Sequence, residues 1–270
     1  MRTTILSLAI ALGACAGESD VDIGPGGELL VGTHRASATD SRAVALGDRR
    51  LVLDGFAGSV RVIGVAPGEP ARLTFERVAR GRTDLAAQRD LEQVAIEESG
   101  DDATYTFRMN ARRRGGAEVN VTATVPGDAD LTILLAAGTV RVDSLAGDLE
   151  VSLDSGPVRG VALAGRRVRV SATAGGVDVS AAALPPEADW HLSTSAGAVT
   201  FTVPADATTD VEAETGTGTV RVEGLVFTER RLDRRGTGTR FSGTLGEGGG
   251  RVRLQTEVGG IRLRAARQGR

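Results

Sequence analysis

The side chains able to do chemistry are few, and their types restrict what this chain can catalyse. All 32 basic residues are arginine, with no lysine among 270 residues. A phosphate loop of the GxxxxGK[ST] type, a Schiff-base lysine and a serine–lysine nucleophile pair each need the missing residue. One cysteine (Cys15) and two histidines (His34 and His191) remain, and neither histidine has a second histidine or a cysteine close enough in sequence to suggest a zinc or iron ligand set. A hydrolytic triad would have to use one of those two histidines. Glu150, Asp154 and Asp178 could share a face as a carboxylate pair or trio, but outward acids are ordinary surface residues. Sugar-acting sites normally add exposed aromatic platforms, and aromatics are only 3% here, with Trp190 and Phe201 on an inward register. Gly216-Thr217-Gly218 and Gly236-Thr237-Gly238 lack the third glycine of GxGxxG, and Gly248-Gly249-Gly250-Arg251-Val252-Arg253 puts arginine where a calcium-binding GGxGxD repeat needs aspartate. No catalytic residues, metal site or cofactor are expected.

Cys15 takes its meaning from the residues before it. Arg2 is followed by a short apolar run, Ile5 to Leu12, and then by Gly13 and Ala14. Such a run reads as a secretion signal, since spanning a bilayer takes about 20 apolar residues. Leu12-Gly13-Ala14-Cys15 resembles the lipobox of bacterial lipoproteins. That resemblance implies that residues 1–14 are a lipoprotein signal peptide and that Cys15 carries the lipid. Two or more acyl chains anchor stably where one binds marginally. Ala16 stands where aspartate marks inner-membrane retention in such lipoproteins, so the resemblance places the chain in the outer membrane of the bacterial envelope. Residues 15–40, rich in Gly, Ser, Asp and Ala, are expected to form a flexible tether. A single cysteine cannot form an intramolecular disulfide.

Beyond the tether, the spacing of glycine and apolar residues shows what positions everything else. A motif of the form Gly-x-[Val/Leu/Ile]-x-apolar begins at Gly58, Gly138, Gly147, Gly175, Gly197, Gly218, Gly250 and Gly259. Each copy is a period-two strand with a glycine before it. Apolar residues also recur nine apart, as in Leu131 and Val140, Trp190 and Val199, Val211 and Val220, or Val252 and Ile261. A unit of about 20 residues holding two short strands cannot bury its own apolar row, whereas stacked units can. The expected fold is therefore all-β, a β-solenoid or β-helix-like stack with about six coils over residues 125–265. In the less regular part before it, strands are expected over residues 42–63 and 67–78, a short helix over Thr83–Gln93 capped by Thr83 or Asp84, and antiparallel strands over 94–98, 104–109 and 118–125. Residues 41–270 are expected to form one domain.

The glycine-led strands, the Val125-Pro126 step into them and the closing stretch Gly246 to Leu263 resemble the bacterial putative adhesin family, a β-strand-repeat domain of unknown function in envelope proteins. The resemblance covers residue 45 to the carboxyl terminus. It implies a surface-binding or scaffolding role and supplies no catalytic residues.

Charge gives the remaining candidates. The chain has a net charge of −3, yet residues 228–270 hold 11 arginines against four acids. Arg230, Arg231, Arg234 and Arg235 are expected together in one loop, either as the polar cap of the stack or as an anion-binding end. Arg61, Arg141, Arg221, Arg253 and Arg262 each lie between two inward apolar residues, so stacking would align some of them. Glu150, Asp178 and Thr200 hold the same position in other copies, as on an ordinary solvated face. The candidate anionic-ligand face comprises Arg230, Arg231, Arg234, Arg235, Arg253 and Arg262. Expected partners are the membrane, through lipidated Cys15, and a cell-surface polyanion or an envelope protein, with no nucleic acid. The leading reading is a non-catalytic, lipid-anchored, adhesin-like protein. The alternatives are an envelope-stress sensor acting by protein contact and, less well supported, a polysaccharide-acting β-helix enzyme.

Overall fold

A computed structural model describes residues 21–23, 29–31, 34–112, 114–204 and 206–266. Cys15 and the expected signal peptide lie outside the described residues. The described residues are all-β with one short helix. Strands β1 (Val21–Ile23) and β2 (Leu29–Val31) pair with each other. Next come β3 (His34–Val44), β4 (Arg50–Val65) and β5 (Ala71–Gly81), then α1 (Asp84–Glu92), β6 (Val94–Gly100), β7 (Thr104–Ala111) and β8 (Ala117–Pro126). The repeats are β9 (Leu131–Asp143), β10 (Leu149–Ser155), β11 (Val158–Leu163), β12 (Arg167–Ala174), β13 (Val177–Ala181), β14 (Asp189–Ala196), β15 (Val199–Val203), β16 (Thr209–Thr217) and β17 (Val220–Glu223). The chain ends with β18 (Thr228–Arg235), β19 (Gly238–Leu245), β20 (Gly250–Val258) and β21 (Ile261–Ala265).

The helix forms where its cap predicts. The Thr83 side chain accepts a hydrogen bond from the Ala86 amide at 3.1 Å, Asp84 stands in the first turn, and Ala87 and Leu91 are buried. Val21–Ile23, Leu29–Val31 and His34–Asp40, all expected in the tether, are strand residues here, and β3 pairs antiparallel with β5 from His34 opposite Gly81. No β3 side chain is buried before Val44. Main-chain bonds at a sheet edge hold it, and it carries no apolar row for a sequence pattern to show.

Most pairings are parallel, and they run as two ladders. In the front ladder the first half of β4 is followed by the first half of β9, then β10, β12, β14, β20 and β16. In the back ladder the second halves of β4 and β9 are followed by β11, β13, β15, β21 and β17. Antiparallel strands cover the ends, with β6 on β7, β5 on β8 and β3 on β5 at one end, and β19 on β16 and β18 on β19 at the other. The sheet is not closed. Residues 230, 231, 234 and 235, expected in a loop, lie on strand β18 at the outer edge of the front ladder. Only Leu232 interrupts that polar run, and it is 43% exposed, so the strand rests on its bonds to β19 rather than on burial.

The stack does not follow chain order. The carboxyl-terminal pair β20–β21 lies between β14–β15 and β16–β17. The insertion changes which charges face each other, separating two acids on the front ladder while setting Arg262 opposite Arg221 on the back one. Stacked in sequence, Asp189 would face Asp210 and repel it; instead Arg251 lies between them, opposite both. Arg253 likewise stands between His191 and Glu212, with Nε 3.9 Å from a Glu212 carboxylate oxygen. Opposite charges facing across strands contribute roughly 0.2–1 kcal/mol each, and like charges cost a similar amount.

The interior repeats one cross-section. Leu131, Leu149, Val168, Trp190, Val252 and Val211 lie in register on the front ladder, each no more than 3% exposed. Between the ladders runs a column of glycines with positive φ, in the order Gly58, Gly138, Gly156, Gly175, Gly197, Gly259 and Gly218. A Cβ on any of the last six would lie between 1.7 and 2.0 Å from the carbonyl oxygen of the glycine before it in the column. Buried threonines bond to the same carbonyls: Thr194 to Gly175, Thr256 to Gly197, Thr215 to Gly259 and Thr239 to Gly218, at 2.9 to 3.0 Å. Each buried hydroxyl is thereby satisfied, and the bonds trace the same stacking order as the strand register.

Candidate functional site

On the outward face of the front ladder, three successive strands carry serine at one register position, Ser152, Ser171 and Ser193. Gln255 and Glu214 continue the row. These side chains are short where the adjacent row carries Arg169, His191 and Arg253, and the difference in height opens a cleft of about 630 Å³. Thr173, Ser195, Thr217 and Glu257 line its other side. Ser171 and Ser193 donate to the backbone carbonyls of Val151 and Val170, at 3.3 and 3.4 Å. Each serine oxygen keeps acceptor capacity toward the cleft. The walls thus offer hydroxyls along most of their length, an amide, and two carboxylates at one end.

His191 is the cleft's titratable base. Among the described residues no serine is hydrogen-bonded to it, so the contact that would activate a nucleophile is not made. Burial, and then the nearby Arg253 charge, hold its pKa below the usual imidazole value; Asp189 opposes this and Arg169 adds to it. A histidine with a lowered folded-state pKa binds fewer protons folded than unfolded. Its contribution to stability is present above the unfolded-state pKa, begins to be lost as pH falls past that value, and is gone once pH has fallen through the lower folded-state pKa. The melting temperature is therefore expected to drop between about pH 7.5 and about pH 5.5, either side of the usual imidazole pKa near 6.5, and less steeply in His191→Gln. Thermal melts of both proteins across that window check this. Equal slopes would show that His191 is not the group responsible.

The six arginines expected to form one anionic-ligand face are divided among three places. Arg230, Arg231, Arg234 and Arg235 are on β18, where the Arg230 guanidinium lies 5.9 Å from the Phe241 ring centroid. Arg253 is on β20, separated from β18 by β16 and β19. Arg262 is on the back ladder, with Nε 3.5 Å from Glu223. They do not converge on one ligand. Cys15 lies outside the described residues. His34, expected in the tether, sits on β3 with Nδ1 2.8 Å from Asp84. Trp190 and Phe201 do face inward, fully buried, with ring centroids 5.6 Å apart.

The serine row was missed in the sequence, although its signal is there. Val151-Ser152-Leu153, Val170-Ser171-Ala172 and Leu192-Ser193-Thr194 place serine between two inward residues at matching points of three units. A single such serine is an unremarkable surface residue, and only the register makes it a wall.

No family model matches the chain, and no curated protein matches it. Solved structures do. A putative cell adhesion protein from Clostridium sporogenes is 13% identical, with a TM-score of 0.46 over 86% of this chain and 100% of its own. A putative adhesin from Bacteroides fragilis is 11% identical, with a TM-score of 0.38 over 84% and 97% of the two chains. A putative lipid binding protein from Parabacteroides distasonis is 7% identical, with a TM-score of 0.24 over 85% and 97%.

Proposed function

We propose that this chain is a non-catalytic, adhesin-like envelope protein, anchored by lipid on Cys15, whose stacked units form a β-solenoid with the front cleft as its ligand-binding surface. The carrying observation is the row Ser152, Ser171, Ser193, Gln255 and Glu214. It repeats a hydrogen-bonding group once per strand, at about 4.8 Å, along a cleft in which His191 activates no nucleophile. A neutral sugar chain laid along the stack could exchange hydroxyl donors and acceptors with successive units. The solenoid reading rests on units that pair in register with their stack neighbours, the arrangement of a quasi-one-dimensional repeat protein. The anchor and the outer-membrane location rest on residues 1–15 and Ala16.

Two experiments test this reading. On a glycan array, the full chain in detergent is expected to bind neutral glycans, and Ser171→Phe or Ser193→Phe, which fill the cleft with an aromatic ring, should weaken binding about tenfold or more with little change in melting temperature. Binding indifferent to both substitutions would remove the cleft from consideration. Labelled palmitate should enter the wild type and be lost in Cys15→Ser, and a wild type that takes up no label has no such anchor.

A further inference from the structure

The outward row of the back ladder is built differently from that of the front. Arg61 pairs in register with Arg141, and Arg141 with Arg159; further along the same row Arg262 pairs with Arg221. Between these groups stand Asp178, which lies 3.8 Å from the Arg264 guanidinium, and Thr200. Four of these arginines belong to the set that the repeat motif singles out, and Arg159 joins them only through the stacking.

Like charges in register are destabilising, and outside this row the described strand pairs bring together only Arg35 and Arg80, with Arg35 held by Glu76. Eleven described arginines lie within 4.0 Å of a carboxylate. Arg61, Arg159 and Arg221 have no such partner among the described residues. Arg61 and Arg159 are exposed and flank Arg141, whose guanidinium is held by Asp143 at 2.8 Å. Of these three adjacent guanidiniums Arg141 is held by Asp143, Arg159 faces Asp178 across the strands without an ion pair within 4.0 Å, and Arg61 has neither, an arrangement that an anion would relieve.

We infer that this row is a binding track for a linear acidic polysaccharide, distinct from the front cleft and independent of it. The track is one residue wide. Ser59 and Thr139 flank it on one side, Ile63 and Asp143 on the other. A planar anionic membrane would press against Asp143 and Glu223 as well as the arginines, and would meet a chain of net charge −3. A single extended polyanion laid on Arg61, Arg141 and Arg159 meets guanidiniums at about 4.8 Å spacing and avoids the flanking Asp143, with Asp178 marking the end of this stretch of the track. The planar fork of each arginine suits a carboxylate, which it can hold through two parallel bonds. No aromatic side chain stands in the row to stack a base, which disfavours single-stranded nucleic acid.

The test is binding of the full chain in detergent to a linear polyuronate, with its neutral reduced form, single-stranded DNA and phosphatidylglycerol vesicles as competing probes. Polyuronate is expected to bind in preference to all three and to weaken with added salt. Arg61→Gln with Arg159→Gln should reduce its affinity about tenfold or more, whereas Arg230→Gln with Arg231→Gln, or Ser171→Phe, should leave it within about twofold. The Arg61/Arg159 variant should melt no lower than wild type, since it removes a repulsion. If it does melt lower, Arg61→Lys with Arg159→Lys keeps the charge, and a several-fold loss from the missing planar fork supports the track in the same way. Absent polyuronate binding, binding that survives the glutamine pair, or preference for DNA or vesicles would each overturn the inference. Loss of glycan binding through the cleft alone would leave it standing.

Discussion

Gly156→Ala is expected to cost about 3 kcal/mol or more and to lower the melting temperature by roughly 6–12 °C. Gly156 has φ +128°, a conformation that L-residues rarely adopt. An added Cβ would lie 1.7 Å from the Gly138 carbonyl oxygen and 2.9 Å from its carbon. The atom struck belongs to the backbone of the next unit, so no side chain can rotate away, and relief requires the two units to part. Separation there would also strain the main-chain bond from the Val140 N–H to the Pro157 carbonyl and its neighbours. In a stack held by nearest-neighbour contacts, damage at one interface opens the array at that point. Gly115→Ala is the control. Its Cβ would meet nothing within 4 Å, and its φ is not in the strained range, so alanine there should melt within about a degree of wild type. Equal melting of the two variants would mean that the glycine column does not set the approach of the units.

Trp190→Ala should cost about 3–5 kcal/mol. Trp190 is fully buried, packs on Phe201, and donates its indole N–H to the Gly165 carbonyl at 2.9 Å. Alanine would leave a large void and an unpaired carbonyl at the level where the carboxyl-terminal pair enters the stack, since Trp190 stands opposite Val252. Trp190→Phe should cost less, about 1–3 kcal/mol, because it keeps most of the ring packing and loses the hydrogen bond. The wild-type chain offers a direct readout, since Trp190 is its only tryptophan. Its emission should be blue-shifted when folded and should move red in one transition as denaturant is added. The variants lack that signal, so far-ultraviolet circular dichroism compares all three. A Trp190→Ala protein as stable as wild type would contradict the fully buried position.

Several features were readable from residue types because their causes are local. Thr83 marks the helix start because its hydroxyl caps the Ala86 amide. Glycine at the start of six of the eight motif copies marks positive φ, and at all eight it marks close backbone approach, both properties of the residue itself. The inward setting of Trp190 and Phe201 follows from two-residue alternation. Other features depend on what lies across from a residue, and chain order does not disclose that. Arg251 looks like any surface arginine until Asp189 and Asp210 are found on either side of it. Thr194, Thr256 and Thr215 read as polar interruptions of apolar rows until the glycine carbonyls of the adjacent units are in place. The strand over His34–Asp40 and the stretch Thr228–Arg234 have no buried side chains to announce them, since both are sheet edges held by main-chain bonds. The serine cleft and the arginine row are legible only once the register is known.

The composition of the front cleft depends on the stacking order, because the inserted strand β20 supplies Gln255 between Ser193 and Glu214. Paired cysteines test that order most directly, since Cys15 is the only native thiol and can be removed as Cys15→Ser. In that background, His191→Cys with Arg253→Cys places thiols on adjacent strands, with Cα atoms about 4.8 Å apart and within disulfide reach. His191→Cys with Glu212→Cys places them two strands apart, at about 9.6 Å and beyond reach. Mild oxidation followed by peptide mapping should give the 191–253 disulfide in high yield and essentially no 191–212 disulfide. The opposite result, a 191–212 crosslink without the 191–253 one, would contradict the inserted carboxyl-terminal pair and the cleft built on it.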